Sequence, residues 1–302
     1  MKGKDDLQNW LLLGLLTLIW GTSYILIKKA LITFSPVQVA ALRVGLSFIV
    51  CIPFYRPAIK AIPRAKYGHL LFLGVIGITI PAFLFSFSQT RINSAVSGII
   101  NSLSPLFTVL TGLIFWQINT PRVKLIGVLI GLLGAIILVF GKGGLSLNGD
   151  MAYTIMPVIA TLFYGINSNY VKKQFPTTNP LYVTSLSIAF IGPLCIVILF
   201  CTDFIERLHG PTALQGLGCV SGLAVFGTLC GWLIFYRLIQ RRDALFAASV
   251  TYLVPIVAIS WGLRDGETLN IYHLIGMALI LVGVYFVSRK GKQALDIKSA
   301  TK

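Results

Sequence analysis

Apolar residues run along this chain in continuous blocks of about twenty, separated by short polar breaks, and do not alternate with polar residues as in a half-buried strand. The blocks are Trp10 to Ile27, Val37 to Phe54, Gly68 to Phe87, Ala95 to Phe115, Val123 to Phe140, Met151 to Tyr170, Leu181 to Cys201, Leu214 to Tyr236, Ala244 to Leu263 and Leu269 to Ser288. A helix needs about 20 mostly apolar residues to cross the hydrocarbon core of a bilayer. Inside that core a backbone must satisfy its own hydrogen bonds, which continuous apolar runs achieve as helices rather than as barrel strands. The pattern predicts an all-α integral membrane protein with ten transmembrane helices.

The chain also matches itself. Leu18-Ile19-Trp20-Gly21-Thr22-Ser23-Tyr24 lies over Leu162-Phe163-Tyr164-Gly165-Ile166-Asn167-Ser168 at an offset of 144, and Pro36 meets Pro180 at the same offset. Further on the offset becomes 150, so that Gly77 meets Gly227, Arg91 meets Arg241 and Pro105 meets Pro255. After a one-residue gap Gly127 meets Gly276 and Gly134 meets Gly283. The sequence therefore reads as two five-helix repeats, residues 1–144 and 145–302, within one membrane domain. Five is odd, so the second unit enters the membrane from the opposite face, the inverted-topology repeat of many secondary transporters.

Composition agrees. Of 302 residues 56% are hydrophobic and 11% charged, against roughly a quarter charged in soluble domains. The net charge of +16 would suggest nucleic acid in a soluble protein, but its distribution says otherwise. With the N-terminus placed inside, eighteen of the 25 Lys and Arg residues fall in inner segments. Only Lys28, Lys29, Arg91, Lys142, Arg207 and Arg264 fall outside, and Arg43 lies within a span. The positive-inside rule then puts both termini in the cytoplasm, and the basicity is read as an orientation signal with no nucleic-acid partner. Lys28 and Lys29 run against this bias while their counterparts Lys172 and Lys173 run with it; the outer pair ends a helix, where the dipole favours cations. The first apolar block has no small-residue cleavage site and forms half of a repeat, so it is expected to be retained rather than removed as a signal peptide. Five cysteines without metal-ligand spacing read as small apolar fillers.

Several motifs resemble the EamA family of the drug/metabolite transporter superfamily. Trp20-Gly21-Thr22-Ser23-Tyr24 is similar to its opening Trp-Gly-Ser-Asn-Phe pattern, and Ala40-Ala41-Leu42-Arg43 to its Ala-Ala-Leu-Arg. Leu103-Ser104-Pro105-Leu106-Phe107 and Leu253-Val254-Pro255-Ile256-Val257 resemble its two proline-centred motifs, and Gly266-Glu267-Thr268-Leu269 its Gly-Glu-x-Leu. The first copy departs: Phe115-Trp116-Gln117-Ile118-Asn119 stands where the family usually has Gly-Glu. The resemblance implies a ten-helix carrier in a bacterial-type inner membrane, moving small metabolites, often amino acids and usually outward. It also implies a central cavity between the first four helices of each copy, with the fifth helices peripheral.

Candidate substrate-binding residues are marked by depth and pairing. Arg43 is the one charge well inside a span, and an unpaired charge there costs some 2.5 to 3.5 kcal/mol. It either meets a substrate carboxylate or ties helices together through carbonyls and side-chain amides. Trp20 and Tyr164 are superposed by the repeat, as are Ser23 and Asn167, so both pairs are candidates to face the symmetry axis, with Tyr24 beside them. Aromatic rings there offer flat walls for an organic cargo; helix packing is the other reading. Asn101 and Tyr252 precede the paired prolines and bring hydrogen-bonding groups to mid-membrane depth, while Trp232 and Gln89 are weaker candidates. Pro105 and Pro255 interrupt their helices, either as hinges for rocking or as static kinks. Gly127-x-x-x-Gly131 and Gly134 permit close helix approach, internally or at a dimer face, so monomer and homodimer both stay open.

No Gly-x-x-x-x-Gly-Lys-Ser/Thr loop occurs, which argues against ATP-driven transport by this chain. All nine acids fall in loops or at span ends, and His69 and His273 are expected at the interfaces. A lipid-modifying intramembrane enzyme would need clustered acids, histidines or metal ligands, a pattern this sequence lacks. The expectation is a secondary transporter of small organic metabolites, not an enzyme, without cofactor or metal, a drug exporter of the same fold being the alternative.

Overall fold

In the computed structural model the described residues are 2–118, 121–140 and 150–288. Asn119, Lys142 and the basic and acidic residues of the last segment, Arg289, Lys290, Lys292, Asp296, Lys298 and Lys302, lie outside them. The described chain is helical: α1 (Lys2–Ala30), α2 (Pro36–Val50), α3 (Ile52–Ala61), α4 (Arg64–Ser88), α5 (Ser94–Trp116), α6 (Arg122–Phe140), α7 (Asp150–Gln174), α8 (Pro180–Phe200), α9 (Ala213–Arg241), α10 (Ala244–Arg264) and α11 (Ile271–Ser288). A short turn, Phe204–Arg207, comes after α8. Six of these helices are long and apolar enough to cross a membrane, and the bent pair of α2 and α3 raises this to as many as seven. Side chains such as Leu129 and Leu214 are 67% and 85% exposed, an outer surface suited to lipid tails and not to water.

One expected span is broken. The block Val37 to Phe54 is continuous in hydropathy, yet the chain turns by 70° between α2 and α3. Pro53 sits in the first turn of α3, where a missing N–H is tolerated and the preceding helix cannot continue through it. The start of α2 is fixed by a capping box, with Ser35 Oγ accepting from the Gln38 amide at 3.3 Å and Gln38 Oε1 accepting from the Ser35 amide at 2.9 Å.

Two spans change winding midway. Residues Leu73–Thr79 of α4 and Leu223–Cys230 of α9 are π-helical, and they begin 150 residues apart, at the spacing that superposes Gly77 and Gly227. The helices holding the paired prolines pass through 3₁₀ turns at Asn101–Leu103 and Ser249–Tyr252. Each proline withholds the N–H that the carbonyl four residues earlier would accept. Serines replace it: Ser104 Oγ donates to Asn101 O at 2.9 Å, and Ser102 Oγ donates to Thr251 O at 2.7 Å.

Glycines set how these helices meet. A Cβ on Gly165 of α7 would lie 2.6 Å from the Phe107 backbone of α5, and one on Gly21 of α1 would lie 2.5 Å from Val257 Cβ of α10. In the same way Gly227 receives Ser23, and Gly77 receives Asn167. α6 and α11 run antiparallel, Gly134 against the Gly276 carbonyl and Gly283 against the Gly127 carbonyl, while Gly131 faces Leu106. The small-residue stripe of α6 is thus used inside the molecule.

Candidate functional site

Six helices converge on one central cavity. On α1 the spacing Trp20, Ser23, Tyr24, Ile27 places four side chains on one face, and these line the cavity with Arg43 of α2, Phe85 of α4, Asn101 of α5, Tyr164 of α7 and Trp232 of α9. Trp20, Ser23, Tyr24, Arg43, Asn101, Tyr164 and Trp232 are all candidates from sequence. Gln89, Asn167 and Tyr252 are candidates too, and they do not line it. Asn167 is fully buried against Gly77 and accepts from Tyr236 Oη at 3.2 Å. Gln89 is buried with neither side-chain polar atom hydrogen-bonded, and Tyr252 packs beside the apolar cluster around Leu103 and Leu106. Phe85 and Ile27 are not foreseen, because a ring or an aliphatic side chain in an apolar span carries no signal separating cavity from packing.

The cavity has a volume of about 30 Å³, room for roughly two water molecules at 10–15 Å³ each. Its own aromatic rings fill the rest. Trp20 and Tyr164 stack with centroids 6.5 Å apart and planes 9° from parallel, and Trp232 meets both edge-on at 5.6 and 5.5 Å. Phe85 closes the ring from the other side, 5.6 Å from Tyr24 and 6.2 Å from Tyr164. Such offset and edge-to-face contacts are favourable but individually small, about 0.5–1.5 kcal/mol, so they can part for a larger occupant.

Arg43 is 8% exposed. Its Nε donates to Thr228 Oγ1 at 2.7 Å and its Nη2 to Gly227 O at 3.4 Å. The same Gly227 carbonyl accepts from Trp20 Nε1 at 3.1 Å, and Thr228 Oγ1 donates its own proton to Leu223 O at 3.1 Å. Both acceptors sit in the π stretch of α9, where altered winding lets surface carbonyls take side-chain donors. The guanidinium is therefore tied to neutral oxygens, and among the described residues no carboxylate lies within ion-pair distance of it. Its full positive charge stays in the cavity wall.

One end of the bundle is closed by charge. Lys28 Nζ lies 2.7 Å from Asp265 Oδ2 and 2.8 Å from Glu267 Oε1, and Lys29 pairs with Asp265. Glu267 is buried and also caps the start of α5, accepting from the Ser94 amide at 3.0 Å, the Ser94 hydroxyl at 2.7 Å and the Ala95 amide at 3.0 Å. Burial alone would raise the Glu267 carboxyl, but Lys28 and the Ala95 and Ser94 donors outweigh it and hold it below its ordinary value of 4.5. Hydrogen bonds from Lys28 and Lys29 hold Asp265 below 3.8. These partners account for the two lysines that run against the charge bias. His273 takes part in a cap at the start of α11, its Nδ1 accepting from the Asn270 amide at 3.3 Å. At the opposite end His69 meets Tyr170 Oη at 2.6 Å, and a second cavity of about 260 Å³ opens between α5, α6, α7 and α10.

Comparison with known proteins agrees with this architecture. The sequence is 25% identical over 288 residues to an uncharacterized transporter of Archaeoglobus fulgidus, covering 94% of this chain and all of the relative. It is 25% identical to the uncharacterized inner membrane transporter YedA of Escherichia coli K12, over 90% of this chain and 88% of the other. It is 26% identical to a protein of Salmonella typhimurium described as a probable amino-acid metabolite efflux pump, over 90% and 91%. A solved structure shares the fold with a TM-score of 0.63 at 16% identity, over 93% of this chain and 96% of its own. The EamA-like transporter family model matches twice, over residues 8–140 and again over 151–289. With both halves matched, the chain belongs to the EamA-like transporter family and is an integral membrane transporter of the drug/metabolite type rather than an enzyme.

Proposed function

We propose that this protein is a secondary carrier that exports amino acids or closely related carboxylate-bearing metabolites by alternating access through the central cavity. The observation that carries the reading is the uncompensated guanidinium of Arg43 among aromatic rings drawn from both halves of the chain. A cation held by neutral oxygens in a buried site favours an anionic group on the cargo, and the planar fork suits a carboxylate. Trp20, Tyr164 and Trp232 supply flat apolar walls for its body. The Salmonella relative's description as a probable amino-acid metabolite efflux pump points the same way.

In this reading the ten spans form two inverted repeats of five, residues 1–144 and 145–302, with both termini in the cytoplasm of a bacterial-type inner membrane. The reading is supported by the double family match and by the π stretches 150 residues apart. It is supported too by the reciprocal glycine contacts, Gly21 with Val257 against Gly165 with Phe107, and Ser23 with Gly227 against Asn167 with Gly77. Two halves that meet through equivalent contacts exchange roles when the carrier switches faces. The end closed by Lys28, Asp265 and Glu267 is then the outer one, and the end with the larger cavity is the inner one. A cavity of about 30 Å³ holds no metabolite, so loading requires the rings to separate.

Reconstitution into liposomes tests this. Purified protein is expected to speed the movement of at least one amino acid above empty vesicles, and a panel of amino acids, amines, carboxylates and nucleosides in which nothing moves faster would sink the carrier reading. Arg43→Lys, which keeps charge but loses the fork, is expected to insert and fold normally while transport falls by about tenfold or more, the scale of one lost charge-assisted hydrogen bond. Unchanged transport in that variant would assign Arg43 to helix packing.

A further inference from the structure

The inner cavity has a counterpart at the outer end, and the counterpart is occupied by a carboxylate. Two residues of the described chain have positive φ, Gly266 at 80° and Gln117 at 51°. Each ends a span, and the amide after each turns back to a glycine carbonyl: Glu267 N–H donates to Gly262 O at 2.9 Å, and Ile118 N–H to Gly112 O at 3.1 Å. The two side chains then lie on those glycines, a Cβ on Gly262 falling 2.6 Å from Glu267 Oε2 and one on Gly112 falling 3.2 Å from Ile118 Cδ1. Gly112 and Gly262 are 150 residues apart. The first copy has one more residue between the glycine and the left-handed position, so Ile118, 149 residues before Glu267, occupies its place.

The groups that hold the Glu267 carboxylate are repeated around Ile118. Lys28 has its equivalent in Lys172 at the offset of 144, and Ser94 and Ala95, whose amides cap the carboxylate, correspond to Ala244 and Leu245 at 150. Lys172, Ala244, Leu245, Gly112 and Ile118 all line the 260 Å³ cavity. The first amides of a 21-residue helix have no intrahelical acceptor, and those of Ala244 and Leu245 meet none elsewhere among the described residues; Asp243 takes the Phe246 amide instead, at 2.7 Å. Lys172 has no carboxylate within reach among the described residues and donates to Ile239 O at 3.1 Å and Arg242 O at 3.4 Å.

One side chain in this cavity has no counterpart outside. Asn169 is 7% exposed and aligns with Ile25. Its Nδ2 is spent on Thr108 O at 2.8 Å, Thr111 Oγ1 at 3.1 Å and Gly165 O at 3.3 Å. Its Oδ1 accepts nothing among the described residues, and Asn169 lines the cavity. An open acceptor on a cavity lined also by Asp243, the start of α10 and Lys172 matches an ammonium and a carboxylate on one small molecule, and the side chains of Ile118 and Leu245 give its apolar part a wall.

We propose that the inner cavity is a docking site for a small zwitterion. The Ala244 and Leu245 amides and Lys172 take its carboxylate where Glu267 sits at the other end, and Asn169 Oδ1 and Asp243 take its ammonium. Resting on the export reading, the site is where cargo is collected from the cytoplasm before its carboxylate passes to Arg43.

The test is direct binding to the full chain in lipid nanodiscs, with L-leucine, L-leucinamide and propionate as probes. Leucine is expected to bind, and leucinamide at least about tenfold more weakly, because a charge-assisted carboxylate contact is lost. Propionate, lacking the ammonium, is expected between them. Ile118→Glu supplies a tethered carboxylate at this end and is expected to weaken leucine binding at least about tenfold more than Ile118→Gln does, a change of equal size and no charge that removes the same apolar wall, with thermal stability undiminished in both. Equal binding of leucine and leucinamide, or wild-type leucine binding in Ile118→Glu, overturns the proposal. Wild-type protein that binds no probe but still carries solute in liposomes also overturns it and leaves the carrier reading standing. Binding in the expected order with no transport of any panel compound upholds the site and overturns the carrier reading instead.

Discussion

The two ends of this bundle are made from corresponding pieces of chain, yet one is shut and the other open. At the Glu267 end a buried carboxylate joins α1, α5 and the segment before α11 through Lys28, Ser94 and Ala95. At the Ile118 end the same positions surround a cavity of about 260 Å³. The backbone geometry is alike at both, down to the left-handed residue and the glycine carbonyl that receives the next amide. The carboxylates of Asp265 and Glu267, absent at the corresponding Trp116 and Ile118, thus separate a built-in closure from an open end. In a carrier whose two states exchange these ends, that inequality biases the resting conformation toward closure at the Glu267 end.

The largest expected effect removes the closure. Glu267→Ala leaves Lys28 to Asp265 alone and uncovers the first amides of α5; losing one partner of a buried pair costs about 3–5 kcal/mol, and the partly exposed lysine with its remaining acid puts the expectation at the lower end, about 3 kcal/mol. The readout is the thermal midpoint in detergent. A second readout is labelling of a cysteine placed at Ile27, a buried cavity residue, in a background without the five native cysteines; it should become reactive from the outer side. Acid should act like the mutation. Because Glu267 and Asp265 have carboxyls held below their ordinary values of 4.5 and 3.8, their stabilisation is complete above those values and is lost as pH falls through the lower folded ones. Labelling that stays flat from neutral pH down through the acid range in which both carboxylates protonate would break the comparison, since the ends would then not differ by a titrating lock.

A second variant separates internal packing from association. Gly134 meets backbone of α11, with an added Cβ 2.8 Å from both Gly276 O and Ile280 N, whereas a Cβ on Gly14 of α1 meets nothing within 4 Å. Backbone cannot move aside as a side-chain tip can, so Gly134→Ala is expected to cost about 2 kcal/mol, within the range for overpacking. Gly14→Ala should be neutral or slightly stabilising through the restricted unfolded chain. The oligomeric state, followed by light scattering, is expected to be the same for both; a shift with Gly134→Ala would move the stripe to an interface between copies.

Much of this is legible in the order of residues alone. The offset of 144 pairs Trp20 with Tyr164, and these rings stack. Arg43 is marked by the cost of its charge, although its main partner, Thr228, lies 185 residues away in sequence and carries no mark. Gln89 is misplaced for a specific reason. It lies beyond the π stretch of α4, and each extra residue in a turn rotates the remainder of the helix by about 100° relative to α periodicity, so depth is readable and direction is not. The bend after Val50 is hidden likewise, since hydropathy is blind to a proline that ends one helix and begins the next. The outer lysines mislead most simply: their acids are 236 or more residues along the chain, and a loop-by-loop charge count cannot see across that distance.

The smallest expected effect compares the two proline kinks. Ser102 Oγ bonds Thr251 O of the other half at 2.7 Å, while Ser104 Oγ bonds Asn101 O within its own helix at 2.9 Å. The Asn101 carbonyl also receives the Ser104 amide through the 3₁₀ turn, so it keeps a donor when the hydroxyl is deleted. Ser102→Ala is therefore expected to cost about 1 kcal/mol, the net value of a typical intramolecular hydrogen bond, and Ser104→Ala about half as much. Thermal midpoints read this difference, and transport reads a second one. The Ser102 bond crosses between halves, so if the prolines are hinges it breaks and reforms as the carrier switches, and its loss should change the turnover rate more than the affinity. If they are static kinks, Ser102→Ala lowers the midpoint and leaves turnover as it was. Equal effects of the two serines on both readouts would mean that the halves are not joined differently at their kinks, and the contrast between the closed and open ends would then rest on Glu267 and Ile118 alone.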